Sequence, residues 1–121
     1  TPLTSADFLS STHVAVTIGP GRKLTYAERH LHSLPKSRTV EILEPSFSVV
    51  PWLIIGTMRL TVMHERLARV FAENLPLNIQ PLPLDVPSMR EMVQYHEART
   101  HDAGIIWLRQ LLHETAAGME I

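Results

Sequence analysis

Seven histidines are the first candidates for chemistry, because imidazoles at suitable spacing hold a metal. The run His96-Glu97-Ala98-Arg99-Thr100-His101 is like the zinc pattern H-E-x-x-H with one residue too many. Side chains five apart on a helix diverge by about 140°, so the two rings cannot face one ion. His30 and His32, two apart, point to different sides of any helix that carries them. No metal site is expected. Nucleophilic chemistry has as little support. The chain has no cysteine and no G-x-S-x-G elbow around Ser46, Ser48 or Ser88. Gly19-Pro20-Gly21 lacks both the G-x-G-x-x-G pattern and a P-loop lysine, and reads as a turn. No cofactor is expected, and no acid–base pair is required. What remains is binding. Ser46 offers a hydroxyl beside the free amides of a helix start, suited to a carboxylate, carbonyl or phenol oxygen, with simple capping as the alternative. His13 opens a strand, another place where ligands gather in open α/β sheets. Gly56-Thr57-Met58 reads by default as a turn. Trp107 is expected in the core, and His96 either buried and satisfied or lining a pocket.

The elements that must position these residues alternate. His13–Ile18 alternates with β-branched residues and stops at Gly19-Pro20-Gly21, a strand and a turn. Thr25 caps a helix to about Leu34, closed by Pro35, and Thr39–Leu43 is a second strand. Ser46 caps a helix carrying Phe47, Val50, Leu53 and Ile54 at helical spacing, kinked at Pro51 and ending at Gly56-Thr57. A third strand is expected over Arg59–Met63. A helix over about Glu65–Asn74 then buries Leu67, Val70 and Phe71 and leaves Arg66, Arg69 and Glu73 outside. Leu77–Val86, with two prolines, suits an edge strand or an extended crossover. Met89–His96 favours a strand by alternation, and Asp102 caps a last helix to about Thr115 with Ile105, Leu108, Leu111 and Leu112 inward. The order β-α-β-α-β-α-β-β-α predicts an open α/β sheet built from βαβ crossovers.

Composition narrows the partners. A formal net charge of −1 leaves no basic footprint, so this segment is not expected to grip DNA itself. The longest apolar run, Val49–Gly56 broken by Pro51, is far short of the roughly 20 residues of a membrane span. Absence of cysteine favours an intracellular protein. Thr1-Pro2-Leu3-Thr4 has no Met, basic or apolar region of a signal peptide, and reads as cut from a longer chain.

Four segments, in this order, resemble the LysR-type transcriptional regulators. They are His13-Val14-Ala15-Val16; Ser46-Phe47-Ser48-Val49-Val50-Pro51-Trp52-Leu53-Ile54-Ile55-Gly56-Thr57; Leu60-Thr61-Val62-Met63-His64-Glu65-Arg66-Leu67-Ala68; and Tyr95-His96 with Asp102-Ala103-Gly104-Ile105-Ile106-Trp107-Leu108-Arg109. Met63-His64 and Met89–His96 look most like the branch of nodulation and aromatic-degradation regulators. The chain departs from the family at Met58-Arg59, after Gly-Thr, and at Ser46, so the relatives' inducers do not carry over.

The resemblance implies a periplasmic-binding-protein-like type II fold of two α/β subdomains with a small effector in the cleft between them. Residues 1–86 would form the second regulatory subdomain, and residues 87–121 would return to the first. Around the cleft it places His13, Ser46, Phe47, Gly56, Thr57, Gln94 and His96. Ser46 would bind an effector oxygen, Phe47 would supply apolar contact, and His13 and His96 polar contacts. It further implies a cytoplasmic, non-enzymatic sensor, a homodimer or homotetramer that touches DNA only through an N-terminal helix-turn-helix not in this chain, and a small aromatic or phenolic effector. Two other readings stand beside it: a solute-binding receptor of a transport system, which shares the architecture, and a small α/β enzyme, which would need a catalytic constellation.

Overall fold

The computed structural model describes residues 2–35 and 38–119. The chain divides into two compact units, Thr1–Pro87 and Ser88–Ile121.

In the first unit the apolar run after Ser11 becomes the central strand β1, Thr12–Ile18, with His13, Val14, Ala15 and Val16 all buried. Its β-branched side chains suit a strand packed on both faces. The chain turns through Gly19 (φ +73°) and Arg22 (φ +48°), where the Arg22 amide donates to the Gly19 carbonyl at 3.1 Å. It returns as the two-residue strand β2, Lys23–Leu24, antiparallel to β1. Helix α2, Tyr26–His32, follows, capped as expected by Thr25, whose hydroxyl accepts the Glu28 amide at 3.3 Å. Strand β3, Thr39–Glu44, then lies parallel to β1, which completes one βαβ crossover. The sheet order is β2-β1-β3. Thr12 faces Thr39 and His13 faces Val40, but Val14 faces Ile42, so Glu41 is an extra residue that bulges β3.

Val14 and Val16 point to one side of β1, where they form a core with Val50, packed by Ile42, Phe47, Leu53, Ile54 and Met63. His13 meets Phe8 in a short helix that the periodicity did not reveal. This is α1, Ser5–Ser10, capped by the Thr4 hydroxyl, which accepts the Asp7 amide at 3.1 Å. Six residues carry too little apolar repeat to be seen as a helix.

Several expectations are corrected. The helix after β3 begins at Val50, not at Ser46: α3 spans Val50–Ile54, and Ser46 does not cap it. Pro51 therefore sits in the first turn, where its missing N–H leaves nothing unsatisfied, and it does not kink the helix. Arg59–Met63 is not a strand. One parallel bridge joins Leu60 to His13, through Val14 N to Leu60 O and Leu60 N to Thr12 O, both 2.9 Å. The ladder stops there because the Thr61 hydroxyl, not a backbone amide, donates to the Val14 carbonyl at 2.9 Å. Helix α4, Glu65–Ala72, forms as expected, with Leu67 and Phe71 half-buried, but Val70 is 57% exposed. No strand is assigned over Leu77–Val86, which matches the extended-crossover alternative and not the edge strand.

In the second unit Met89–His96 forms no strand; a 3₁₀ turn over Glu97–Arg99 leads to α5, Ala103–Ala117. Asp102 caps α5 as expected, its carboxylate accepting the Ile105 amide at 3.0 Å. Arg109 lays its guanidinium over the Tyr95 ring, 4.5 Å from the centroid, and so ties the irregular segment to the helix. The inward face expected for α5 is not covered. Ile105 is half-buried, but Leu108, Leu111 and Leu112 are 42–43% exposed, and Trp107, expected in the core, is 65% exposed.

The architecture is thus mixed α/β, with a small open three-stranded sheet and short helices. No helix among the described residues is long and apolar enough to cross a membrane.

Candidate functional site

Four of the seven candidate residues bracket α3 in the first unit. The turn from β3 brings Ser46 to the helix entry, where the Glu44 carboxylate accepts the Ser46 amide at 3.2 Å. The Ser46 Oγ lies 2.7 Å from the Ser48 Oγ and accepts the Ser48 amide at 3.3 Å. Two hydroxyls thus stand side by side, Ser46 half-buried and Ser48 exposed. The next side chain, Phe47, turns into the Val14–Val16–Val50 core, with its ring centroid 6.1 Å from that of His64. At the other end of α3, Gly56 takes a left-handed conformation (φ +71°) that an L side chain rarely adopts. Thr57 closes the turn: its hydroxyl donates to the Ile54 carbonyl at 2.7 Å and accepts the Arg59 amide at 3.1 Å.

Arg59 clamps this turn to the sheet. Its guanidinium donates to both Glu41 carboxylate oxygens, at 3.1 and 3.0 Å, and to the Leu53 carbonyl at 2.9 Å. The Arg59 contact holds the Glu41 carboxyl below its ordinary value. So the bulge residue of β3 and the residue after Gly-Thr-Met form one bidentate pair that fixes the exit of α3. Sequence reading placed Arg59 in a strand and missed the clamp. Its signal was an arginine and a glutamate in otherwise apolar segments.

His13 lies elsewhere in the same unit. It is 1% exposed, its Nε2–H donates to the Phe8 carbonyl at 2.7 Å, and its ring meets Phe8 edge-on at 4.6 Å. Burial, opposed by the Phe8 hydrogen bond, pushes its imidazole below the ordinary value; Arg38 acts in the same direction as burial and Glu28 against it. Glu28 and Arg38 form a second missed feature, a buried ion pair. The sequence signal was a glutamate three positions before Leu31, on the buried stripe of α2. Thr25-x-x-Glu28 has the form of a capping box, yet the Glu28 carboxylate turns to Arg38.

Gln94 and His96 belong to the second unit, and both are exposed. The His96 Nδ1 accepts the Ala98 amide at 3.0 Å and so caps the 3₁₀ turn, which corrects the buried alternative. His96 and His101 do not share a helix, since α5 starts only at Ala103. Among the described residues, no three or more His, Asp or Glu side chains gather as a metal would require. Two open concavities run along α5, lined by Ile106, Arg109, Gln110, His113 and Glu114, and by Trp107, Gln110, Leu111 and Glu114; neither contains a candidate residue.

Strand β1 and the α3 turn carry two of the four segments that resemble the LysR-type regulators, a third runs from the Leu60 bridge into α4, and the relatives that the chain matches are regulators of that type. The chain is similar along nearly its whole length to nodulation protein D. It is 36% identical over 118 residues to nodulation protein D 2 of Rhizobium tropici, covering 98% of this chain and 38% of the relative. With nodulation protein D 1 of Mesorhizobium japonicum and nodulation protein D 2 of Bradyrhizobium diazoefficiens it shares 36% identity over 117 residues, 97% of this chain and 37% and 36% of theirs. The chain thus spans somewhat over a third of the length of these relatives. No family model matches it. No solved structure matches it either.

Proposed function

We propose that this chain is the effector-sensing part of a LysR-type transcription regulator. The observation that carries the reading is the similarity to nodulation protein D over 97–98% of the chain. In this reading residues 1–86 are the second regulatory subdomain of a periplasmic-binding-protein-like type II fold. Residues 87–121 return to the first subdomain, for which the exposed apolar side chains of α5 are suited. The effector-binding residues in this reading are His13, Ser46, Phe47, Gly56 and Thr57 of residues 1–86, and Gln94 and His96 of residues 87–121. The paired Ser46 and Ser48 hydroxyls beside the Phe47 ring suit a small aromatic or phenolic compound. An effector that binds one cleft state better shifts the arrangement of subdomains and subunits. That shift alters how a cytoplasmic homodimer or homotetramer meets DNA through its helix-turn-helix. The chain itself catalyses nothing in this reading.

The test is Ser46→Trp in the full-length regulator, read by effector-dependent reporter expression. Loss of at least about tenfold in apparent effector affinity, with basal promoter binding retained, is expected; one lost charge-free polar anchor plus a steric clash is worth that much. Unchanged induction would remove Ser46 from the site.

A further inference from the structure

His13 of β1, Glu28 of α2 and Arg38, just before β3, have buried side chains, with Glu28 and Arg38 at 6% and 8% side-chain exposure. Glu28 and Arg38 take no part in the proposed effector contacts. We propose that the three form a proton-responsive latch that holds α1 on the sheet while His13 is neutral and releases it when His13 is protonated.

The geometry supplies the latch. Helix α1 is fixed at Phe8, whose ring is buried against the His13 imidazole and whose carbonyl accepts the Nε2–H. Both contacts end on one side chain. Arg38 and Glu28 lie close enough to act on that ring electrostatically. With neutral His13 the buried charges are Glu28⁻ and Arg38⁺, which cancel. A proton on His13 leaves a surplus positive charge, and among the described residues no further buried acid balances it. The cluster is already short of acceptors, since the buried Arg38 Nε has no hydrogen-bond partner among the described residues. Among the described residues, Thr12 and Val14 beside His13 in β1 and its sheet partners Val40 and Leu60 are uncharged, and Asp7 of α1 is exposed. A cation out of water with no partner is expensive, and undocking α1, a six-residue helix whose buried residue is Phe8, relieves it.

The sign follows from linkage. The native imidazole is lowered from its ordinary 6.5, so the closed latch is fully stable above that pH. It weakens as pH falls from 6.5 toward the native value, because the open state takes up the proton first. Between about pH 7.5 and 5.5 one such proton weakens closure by up to about tenfold.

The experiment is amide hydrogen exchange on the intact protein at both pH values, corrected for intrinsic rates. Protection of the Ser5–Ser11 segment is expected to drop up to about tenfold on acidification, while β1 and β3 keep theirs. His13→Gln, which can still donate to the Phe8 carbonyl but cannot be charged, is expected to keep α1 protected at both pH values. The latch is overturned if α1 protection does not change with pH, if it drops equally in His13→Gln, or if β1 and β3 open with it. Should His13→Gln fail to fold, exchange at the His13 ring C–H in the unaltered protein decides. Its titration midpoint must coincide with the loss of α1 protection, and a separate midpoint overturns the latch.

Discussion

At the scale of single residues, the buried Glu28–Arg38 pair shows how charge and packing trade against each other. Two ions taken out of water lose hydration that their attraction barely restores, but removing one partner strands the other. Arg38→Leu is therefore expected to cost about 3 kcal/mol in urea unfolding, since it leaves the Glu28 carboxylate buried and unpaired. The double change Glu28→Leu with Arg38→Leu removes both charges and should cost clearly less than Arg38→Leu alone. Equal losses would show that the pair contributes through shape and not charge. The Glu41–Arg59 clamp differs, because Glu41 is exposed and Arg59 only partly covered. Its contribution is geometric: three hydrogen bonds from one guanidinium set where α3 ends.

At the scale of elements, helix ends and turns decide more than helix interiors. Gly56 is at φ +71° with open space where a Cβ would stand. Gly56→Ala is thus a test of backbone strain alone, and about 1 kcal/mol of lost stability is expected by thermal or urea unfolding. A neutral result would mean that the turn relaxes. The cap of α5 gives a pH-dependent case. The Ile105 amide, and next to it Arg99, hold the Asp102 carboxyl below its ordinary 3.8. Its capping contribution is present above 3.8 and is lost as pH falls through the lower native value. Helix content by circular dichroism should fall in that acid window, and Asp102→Asn, which caps without titrating, should flatten the change. An identical acid transition in Asp102→Asn would assign it to another group.

At the scale of the whole molecule, α5 carries more apolar surface than a solvated helix explains. Ile106, Trp107, Leu108, Leu111 and Leu112 are all exposed along it. Apolar surface of this extent drives association. The 121-residue chain on its own is expected to self-associate in light scattering, and Trp107→Glu with Leu111→Glu should shift it toward monomer. A chain that stays strictly monomeric at tens of micromolar would count against this. The same surface explains why the apolar periodicity of α5 was legible in the sequence while its burial was not. Periodicity records that a face will be covered, not by what.

How far the sequence could be read follows the range of the interactions involved. Local forces wrote β1, β3, α2, α4 and the caps at Thr25 and Asp102 into short stretches: β-branched alternation, prolines after helices, and acceptors placed three residues before a free amide. These were read correctly. The strand expected at Arg59–Met63 failed because a single hydroxyl, Thr61, took the carbonyl that a ladder needed, and that contact spans 47 positions. Ser46 looked like a cap because serine before an apolar run usually is one; Pro51 moved the helix start to Val50 and left Ser46 paired with Ser48. The polar pairings were invisible for the same reason. Glu28 with Arg38, Glu41 with Arg59, and His13 with the Phe8 carbonyl pair groups 10, 18 and 5 positions apart, and only the folded chain brings them together. Order along the chain made the family resemblance and most local elements legible, because both are written in short stretches; which charges pair and which histidine is buried depend on proximity across the fold, which tertiary structure alone decided.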